Sequence, residues 1–257
     1  MLLRTLASGS GGNCILVQQD GTAILIDAGI SCKKITTRLQ ASGLAPEALD
    51  AIFLTHEHSD HIAGLRVFLK RYPTPAYATA GTGSRTAEKY PVVGELLHTF
   101  SAGETVEVGA LEEQSFSTPH DAADSVGYRC TGGGHSLAVV TDLGWVPEEV
   151  RTVAAGVELA LIEANHDEEW LKSGPYALPL QNRILGDHGH LCNETGGALG
   201  AYLARHGAKT LVLGHLSQED NTPEHAYQVV SQVLEQSGVH PALEVAPRDE
   251  LSRPYYL

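Results

Sequence analysis

Short apolar runs bounded by turn-forming residues recur through the first part of the chain. Runs of this length, separated by glycine, serine, asparagine or aspartate, predict β-strands. The predicted strands cover residues 2–6, 14–18, 22–26, 111–116, 125–130 and 136–140. Helical spacing of apolar residues predicts helices at 31–42, with Ser31 as the N-cap, and at 62–71. Residues 75–108 are expected to form short strands around a helix near 83–90.

The second half of the chain is predicted to be mainly helical. Segments with apolar residues at helical spacing cover 148–155, 167–171, 178–185, 195–206 and 223–236. Strands are predicted at 158–163, 209–213 and 243–245, and the last residues, 252–257, are expected to be a plain terminus. The chain therefore contains two strand-rich stretches, each with flanking helices.

One polar segment interrupts this pattern where a predicted buried strand ends. The sequence Thr-His-Glu-His-Ser-Asp-His at residues 55–61 follows the apolar run at 51–54. Burying such groups without partners costs about 1–3 kcal/mol each, a cost that a bound metal ion removes. His56 and His58 are spaced to face one ion, whereas Asp60 and His61 suit a second ion nearby. Imidazole and carboxylate together fit zinc, manganese or iron, so the segment predicts a dinuclear site.

Four residues cannot complete two coordination shells, so further ligands are expected at the ends of other strands. His120, Asp142 and His215 each follow an apolar run, at a position from which a side chain can reach a shared cleft. Any one of them alone is more typical of an ordinary polar residue at a strand end. Together with the segment at 55–61, they form a set of candidate ligands.

This set resembles the pattern of the metallo-β-lactamase superfamily. The resemblance implies an α+β fold, an αββα sandwich in which two mixed β-sheets are flanked by helices. It also implies two divalent metal ions, one bound by His56, His58 and His120 and the other by Asp60, His61 and His215, with Asp142 as the bridge. The matching residues extend from Asp27, which would orient the histidine segment, to His215. We therefore expect a single domain over residues 1–257.

Composition bears on two questions: which substrate the protein could contact, and in which compartment it acts. The net charge of −14 argues against wide contact with a phosphate backbone, although a metal pair could still dominate a local groove. No apolar run is long enough for a membrane span, and the segment after Met1 lacks the apolar core of a signal peptide. The four cysteines show no C-x-x-C spacing. We expect a cytoplasmic protein without a membrane partner; its oligomeric state is open.

Three further motifs narrow the resemblance within the superfamily. The motifs are Glu163-Ala-Asn-His166, Gly189-His190-Leu-Cys-Asn193 and Gly214-His215-Leu-Ser217. Together with the glycine-rich start at 8–13, they are similar to the WalJ/YycJ-type branch, close to transfer-RNA 3′-processing nucleases. That resemblance implies phosphodiester hydrolysis of nucleic acid and, for this branch, 5′-to-3′ exonuclease action on DNA. It also implies catalytic roles: Glu163 would support His190, which would protonate the leaving oxygen, and the ligand Asp60 would also hold the nucleophile's proton.

Several alternatives stay open at this point. An aspartate at the bridging position disfavours the common zinc β-lactamases, but a small-molecule hydrolase such as a glyoxalase II-like thioesterase suits the acidic composition. A catalytically idle binding protein is disfavoured by the complete ligand set. The glycine-rich segment at 8–13 fits a tight turn better than a phosphate cradle. Direct roles for His166 and His188 are undecided.

Overall fold

Strands at the centre of this protein are buried on both faces, so each sheet needs cover on both sides. The strands Thr22–Ile26 and Leu159–Glu163 have no exposed residue at all. In the computed structural model, which describes residues 1–257, two seven-stranded sheets pack face to face and helices cover their outer faces. The predicted αββα sandwich is confirmed.

Each sheet combines antiparallel and parallel pairs. The first sheet contains β1 (Leu2–Ala7), β2 (Cys14–Gln19), β3 (Thr22–Ile26), β4 (Ala51–Phe53), β5 (Ala76–Thr79), β6 (Leu97–Phe100) and β14 (Tyr255–Tyr256), in the spatial order β14-β1-β2-β3-β4-β5-β6. The second contains β7 (Thr105–Val108), β8 (Leu111–Ser117), β9 (Val126–Gly132), β10 (His135–Val140), β11 (Leu159–Glu163), β12 (Thr210–Gly214) and β13 (Ala242–Val245), in the order β13-β12-β11-β10-β9-β8-β7. The strands from β3 to β6 and from β10 to β13 are parallel.

The helices form the two outer layers. In chain order they are α1 (Cys32–Ala41), α2 (Ser59–Ile62), α3 (Leu65–Arg71), α4 (Ala80–Lys89), α5 (Glu148–Ala154), α6 (Glu168–Ser173), α7 (Leu178–Leu185), α8 (Asn193–Arg205) and α9 (Pro223–Gln236), with 3-10 turns at Pro46–Ala48 and Pro91–Leu96. Helices α1 and α3 pack on the first sheet, and α5, α8 and α9 on the second. Ser31 caps α1 as predicted, accepting a hydrogen bond from Lys34 N. No helix has the length and apolar character that crossing a membrane requires.

Two predictions of local structure were wrong. The helix expected at 62–71 is broken, because α2 ends at Ile62 and α3 begins at Leu65. Gly64 lies at the break, where a Cβ atom would be 1.9 Å from the carbonyl oxygen of Ile30. The expected plain terminus contains β14, which pairs antiparallel with β1. The spacing of apolar residues reveals neither the contact of Gly64 with Ile30 nor the pairing of β14 with β1, because both join distant parts of the chain.

The core between the sheets contains a buried carboxyl group, that of Glu113. Glu113 lies on β8 opposite Cys130 of β9, and it is 1% exposed. Burial raises the pKa of Glu113 from 4.5 to about 8, an effect that the contact with Cys130 only partly opposes. The folded protein therefore keeps a proton on Glu113 at neutral pH.

This buried carboxyl predicts that the protein loses stability as the pH rises from about 4.5 to about 8. Between pH 4.5 and pH 8 the folded state holds a proton that the unfolded chain has released, so the free energy of unfolding falls as pH rises. The fall is about 4–5 kcal/mol, and Glu113→Gln should remove it. Urea unfolding at pH 5 and pH 9 measures the difference, with the exposed Glu112→Gln as control. Equal pH dependence in wild type and Glu113→Gln would contradict the assignment.

Candidate dinuclear metal site

The predicted ligands meet at one edge of the sandwich. Asp27 follows β3, the histidine segment follows β4, Asp142 follows β10 and His215 follows β12. Parallel strands end at the same edge of a sheet, and both sheets present that edge to one cleft of about 250 Å³. All seven predicted ligands lie in groups whose ligand atoms are close enough to share an ion.

The first group consists of His56, His58 and His120. The ring centroids are 4.6 Å apart for His56 and His58, and 4.9 and 5.0 Å from these two to His120. His56 and His120 are buried, whereas the side chain of His58 is 28% exposed at the cleft. His120 Nδ1 donates to the Gly189 carbonyl at 3.1 Å, which leaves its Nε2 atom facing the group.

The second group consists of Asp60, His61 and His215. Asp60 Oδ2 lies 3.2 Å from His61 Nε2 and 3.5 Å from His215 Nε2. Asp142 stands between the groups: its Oδ2 atom is 3.5 Å from His61 Nε2, and its Oδ1 atom is 3.3 Å from His215 Nε2 and 3.8 Å from His120 Nε2. One carboxylate therefore faces ligands of both groups.

The donor set fits metal ions, because polar atoms at its centre lack protein partners. His56 Nε2, Asp142 Oδ2 and His215 Nε2 are buried and form no hydrogen bond. Buried atoms of this kind are rare and costly unless an ion or water satisfies them. The resemblance to the metallo-β-lactamase superfamily implies divalent metal ions, and these orphaned atoms lie among the residues that would hold them.

In the protein without metal, the pKa values of two ligand histidines shift in opposite directions. Burial, with neighbouring imidazoles, holds the pKa of His56 well below its usual range. Burial also opposes protonation of His215, but the carboxylates of Asp142, Asp60 and Glu163 around its ring raise its pKa to about 10. A metal ion bound at His215 would therefore displace a proton.

A layer of hydrogen bonds behind the ligands fixes their rings. Asp27 accepts from Thr55 N at 2.9 Å and from Thr55 Oγ1 at 2.8 Å, and its Oδ2 atom lies 2.7 Å from His61 Nδ1. Thr55 Oγ1 also lies 3.0 Å from His56 Nδ1. Asn13, by contrast, contacts the other ring nitrogen: its Nδ2 atom lies 3.1 Å from His61 Nε2, on the side of Asp60 and Asp142. Asp27 takes the orienting position expected of it, whereas no sequence motif predicts the contacts of Thr55 and Asn13.

His190 and Glu163 form a pair at the same edge. His190 Nδ1 lies 2.8 Å from Glu163 Oε1, and Glu163 Oε2 accepts from the backbone N–H of Leu191 at 3.0 Å. Glu163 Oε1 also lies 3.1 Å from His215 Nδ1, a contact that the sequence did not predict. Burial raises the pKa of Glu163, but His190 and His215 together hold it below its usual range. One buried carboxylate thus orients both imidazoles.

The two histidines that the sequence left undecided lie in different places. His188 lines the cleft. His166 is buried outside the lining, with Nδ1 3.3 Å from Asn165 Oδ1, and burial lowers its pKa to about 4.

The glycine-rich segment at 8–13 supports the backbone of one candidate ligand, since Ser8 Oγ accepts a hydrogen bond from His215 N at 3.1 Å.

Strained backbone marks the ends of three of these strands. Asp27, Asp142 and His215 have φ angles of 64°, 61° and 56°, in the left-handed region. That conformation costs a residue other than glycine about 1–2 kcal/mol. Asp20, in the turn between β2 and β3, is the one further residue of this kind. Strain of this sort is concentrated at functional sites.

Gly29 allows the ligand segment to approach β3. A Cβ atom on Gly29 would lie 1.6 Å from the carbonyl oxygen of Asp60. We expect Gly29→Ala to displace Asp60, reduce metal content below two ions per chain and lower the free energy of unfolding by about 3 kcal/mol. Metal analysis and urea unfolding measure both effects. Gly94→Ala, at a position with open space, is the control, and normal metal content in Gly29→Ala would contradict this account.

Comparison with known proteins agrees with this architecture. The chain belongs to the beta-lactamase superfamily, because the model of the Beta-lactamase superfamily domain matches residues 22–216. Over most of its length it is similar to Exodeoxyribonuclease WalJ of Streptococcus pneumoniae, with 39% identity over 90% of this chain and 87% of the relative. Exodeoxyribonuclease YycJ of Bacillus anthracis is 36% identical over 95% of this chain and 94% of the relative. The predicted resemblance is confirmed.

Solved structures support the fold. The metallo-beta-lactamase fold protein YhfI from Bacillus subtilis superposes with a TM-score of 0.74, covering 98% of this chain and all of that one, at 16% identity. At an identity this low, the similarity is evidence for a shared fold only.

Proposed function

We propose that this protein is a dinuclear metal-dependent phosphodiesterase that degrades DNA as a 5′-to-3′ exonuclease. The observation that carries the proposal is the position of Asp142, whose carboxylate lies near His61 and His215 of the second group and near His120 of the first, in one cleft that also contains His190. Two relatives that match most of the chain are exodeoxyribonucleases, which supports DNA as the substrate.

In this proposal the seven ligands hold two divalent cations, zinc, manganese or iron. His56, His58 and His120 would hold one, Asp60, His61 and His215 would hold the other, and Asp142 would contribute to both. When bound, two such cations lower the pKa of a shared water and withdraw charge from the phosphoryl oxygens. Asp60, whose Oδ2 atom lies 3.2 Å from His61 Nε2, would also hold the proton of the attacking water.

His190 is proposed as the general acid. Its Nδ1 atom is held by Glu163, so Nε2 is the atom that can donate a proton in the cleft. Because Glu163 is bound to backbone N–H groups as well, the pair keeps one orientation. The proton goes to the oxygen that leaves phosphorus, which avoids release of an alkoxide.

The proposal extends to the whole chain and its location. We propose that residues 1–257 form a single catalytic domain that acts in the cytoplasm, where its four free, buried cysteines stay reduced. With a net charge of −14, the protein would contact DNA mainly at the metal cleft.

End-labelled substrates test this function. Metal-stripped protein is reloaded with Mn²⁺ or Zn²⁺ and given linear duplex DNA, single-stranded DNA or RNA. A 5′ label should appear at once as mononucleotide, while a 3′-labelled strand should give a ladder of shortening products. Inactivity on every nucleic acid, combined with rapid hydrolysis of a glutathione thioester, would favour the glyoxalase II-like alternative.

A further inference from the structure

Arg183 is the only lysine or arginine among the residues that line the cleft. The other charged residues of the lining are Asp60, Asp121 and Asp142, and the chain as a whole is strongly acidic. A nucleic acid strand carries a phosphate at every nucleotide, so a strand that places one phosphate at the metal site brings its neighbours to the rim of the cleft. A positively charged side chain at this rim would attract those phosphates, which the acidic surface would otherwise repel.

Arg183 is fixed beside the first group of ligands. It lies on α7, and its Nε–H donates to Asp121 Oδ2. The other oxygen of Asp121 lies 3.4 Å from His120 Nε2 and 3.7 Å from His58 Nε2. Asp121 N also donates to the His188 carbonyl at 3.1 Å. The guanidinium is therefore anchored on the far side of Asp121 from the ligands.

The outer edge of this guanidinium is free. Neither Nη1 nor Nη2 donates to a protein acceptor, and the side chain is 56% exposed. A planar guanidinium with two free amino groups matches the oxygens of a phosphate in a bidentate arrangement. Asp121 restricts its rotation, so less conformational freedom is lost on binding.

We propose that Arg183 binds the non-bridging oxygens of the phosphate next to the scissile one, and that Asp121 is its positioning residue. The proposal rests on the nuclease function proposed above and adds the residue that recognises a polyanionic strand. It predicts that Arg183 matters for a chain of nucleotides and not for an isolated phosphodiester.

Steady-state kinetics on two substrates test this. Wild type, Arg183→Gln and Arg183→Lys are compared on a single-stranded oligonucleotide at several salt concentrations, and on bis(4-nitrophenyl) phosphate, which has no flanking phosphate. Arg253→Gln is the control, because Arg253 is 62% exposed, ion-paired with Glu244 and outside the cleft lining. For Arg183→Gln we expect KM for DNA to rise about 10-fold with kcat within threefold. Arg183→Lys should recover part of the loss.

The salt dependence gives the most specific readout. Loss of one phosphate contact should reduce the slope of log KM against log salt by about 0.7 for a single strand. The rate on bis(4-nitrophenyl) phosphate should stay within twofold of wild type. An unchanged KM and slope in Arg183→Gln would overturn the proposal, and so would an equal loss on both substrates, which would indicate a structural role. Wild type inactive on DNA would instead refute the nuclease function, and this inference with it.

Discussion

Asp142→Asn is expected to lower DNA hydrolysis at least about a thousandfold and to reduce the metal content of the protein. The bridging carboxylate faces both groups of ligands, and an amide supplies neither its charge nor its second anionic oxygen. A loss of about 4 kcal/mol of transition-state stabilisation corresponds to this factor.

Asp142→Asn should not disturb folding, because asparagine suits the backbone conformation at this position. Asp142 has a φ angle of 61°, and asparagine tolerates this left-handed conformation about as well as aspartate. The variant should therefore fold normally. Rates on an oligonucleotide and metal analysis measure the effect. Asp187→Asn, the same chemical change at an exposed position in the loop beside the cleft, should behave as wild type. More than a tenth of wild-type activity in Asp142→Asn would contradict the bridging role.

His190→Ala is expected to lower turnover on DNA by about 10²–10⁴ while both metal ions remain bound. The loss should nearly disappear on thymidine 5′-(4-nitrophenyl) phosphate, because 4-nitrophenolate leaves without a proton. This difference between leaving groups is specific to a general acid.

The same variant decides between two roles of His190. Its ring nitrogen lies close enough to Asp142, Glu163 and His215 to share an ion with them. If His190 were a ligand, His190→Ala would lose metal and would be slow on both substrates. His188→Ala is the matched control, since His188 is an imidazole in the same cleft without a hydrogen bond to a glutamate. We expect normal turnover in that control.

The candidate ligands could be identified from the sequence because their signal is local. A polar residue directly after an apolar run marks a strand end, and parallel strands bring such ends to one edge. His120, Asp142 and His215 were found in this way, and the structure brings them together with the segment at 55–61.

The supporting contacts could not be predicted, because they join distant parts of the chain through common residue types. Asn13 reaches His61 across 48 residues, and Arg183 reaches Asp121 across 62. A serine-glycine-asparagine turn or an exposed arginine on a helix has many ordinary uses. The left-handed backbone at Asp142 is set by the tertiary structure and has no sequence signature in an aspartate.

The most direct test of the dinuclear account is a metal titration of activity. Metal-stripped protein is titrated with Mn²⁺ under tight-binding conditions while release of nucleotides from a 5′-labelled DNA strand is recorded. The account predicts negligible release without metal and a rise that reaches its plateau at two ions per chain. Full DNA degradation without metal, or a plateau at one ion per chain, would contradict it.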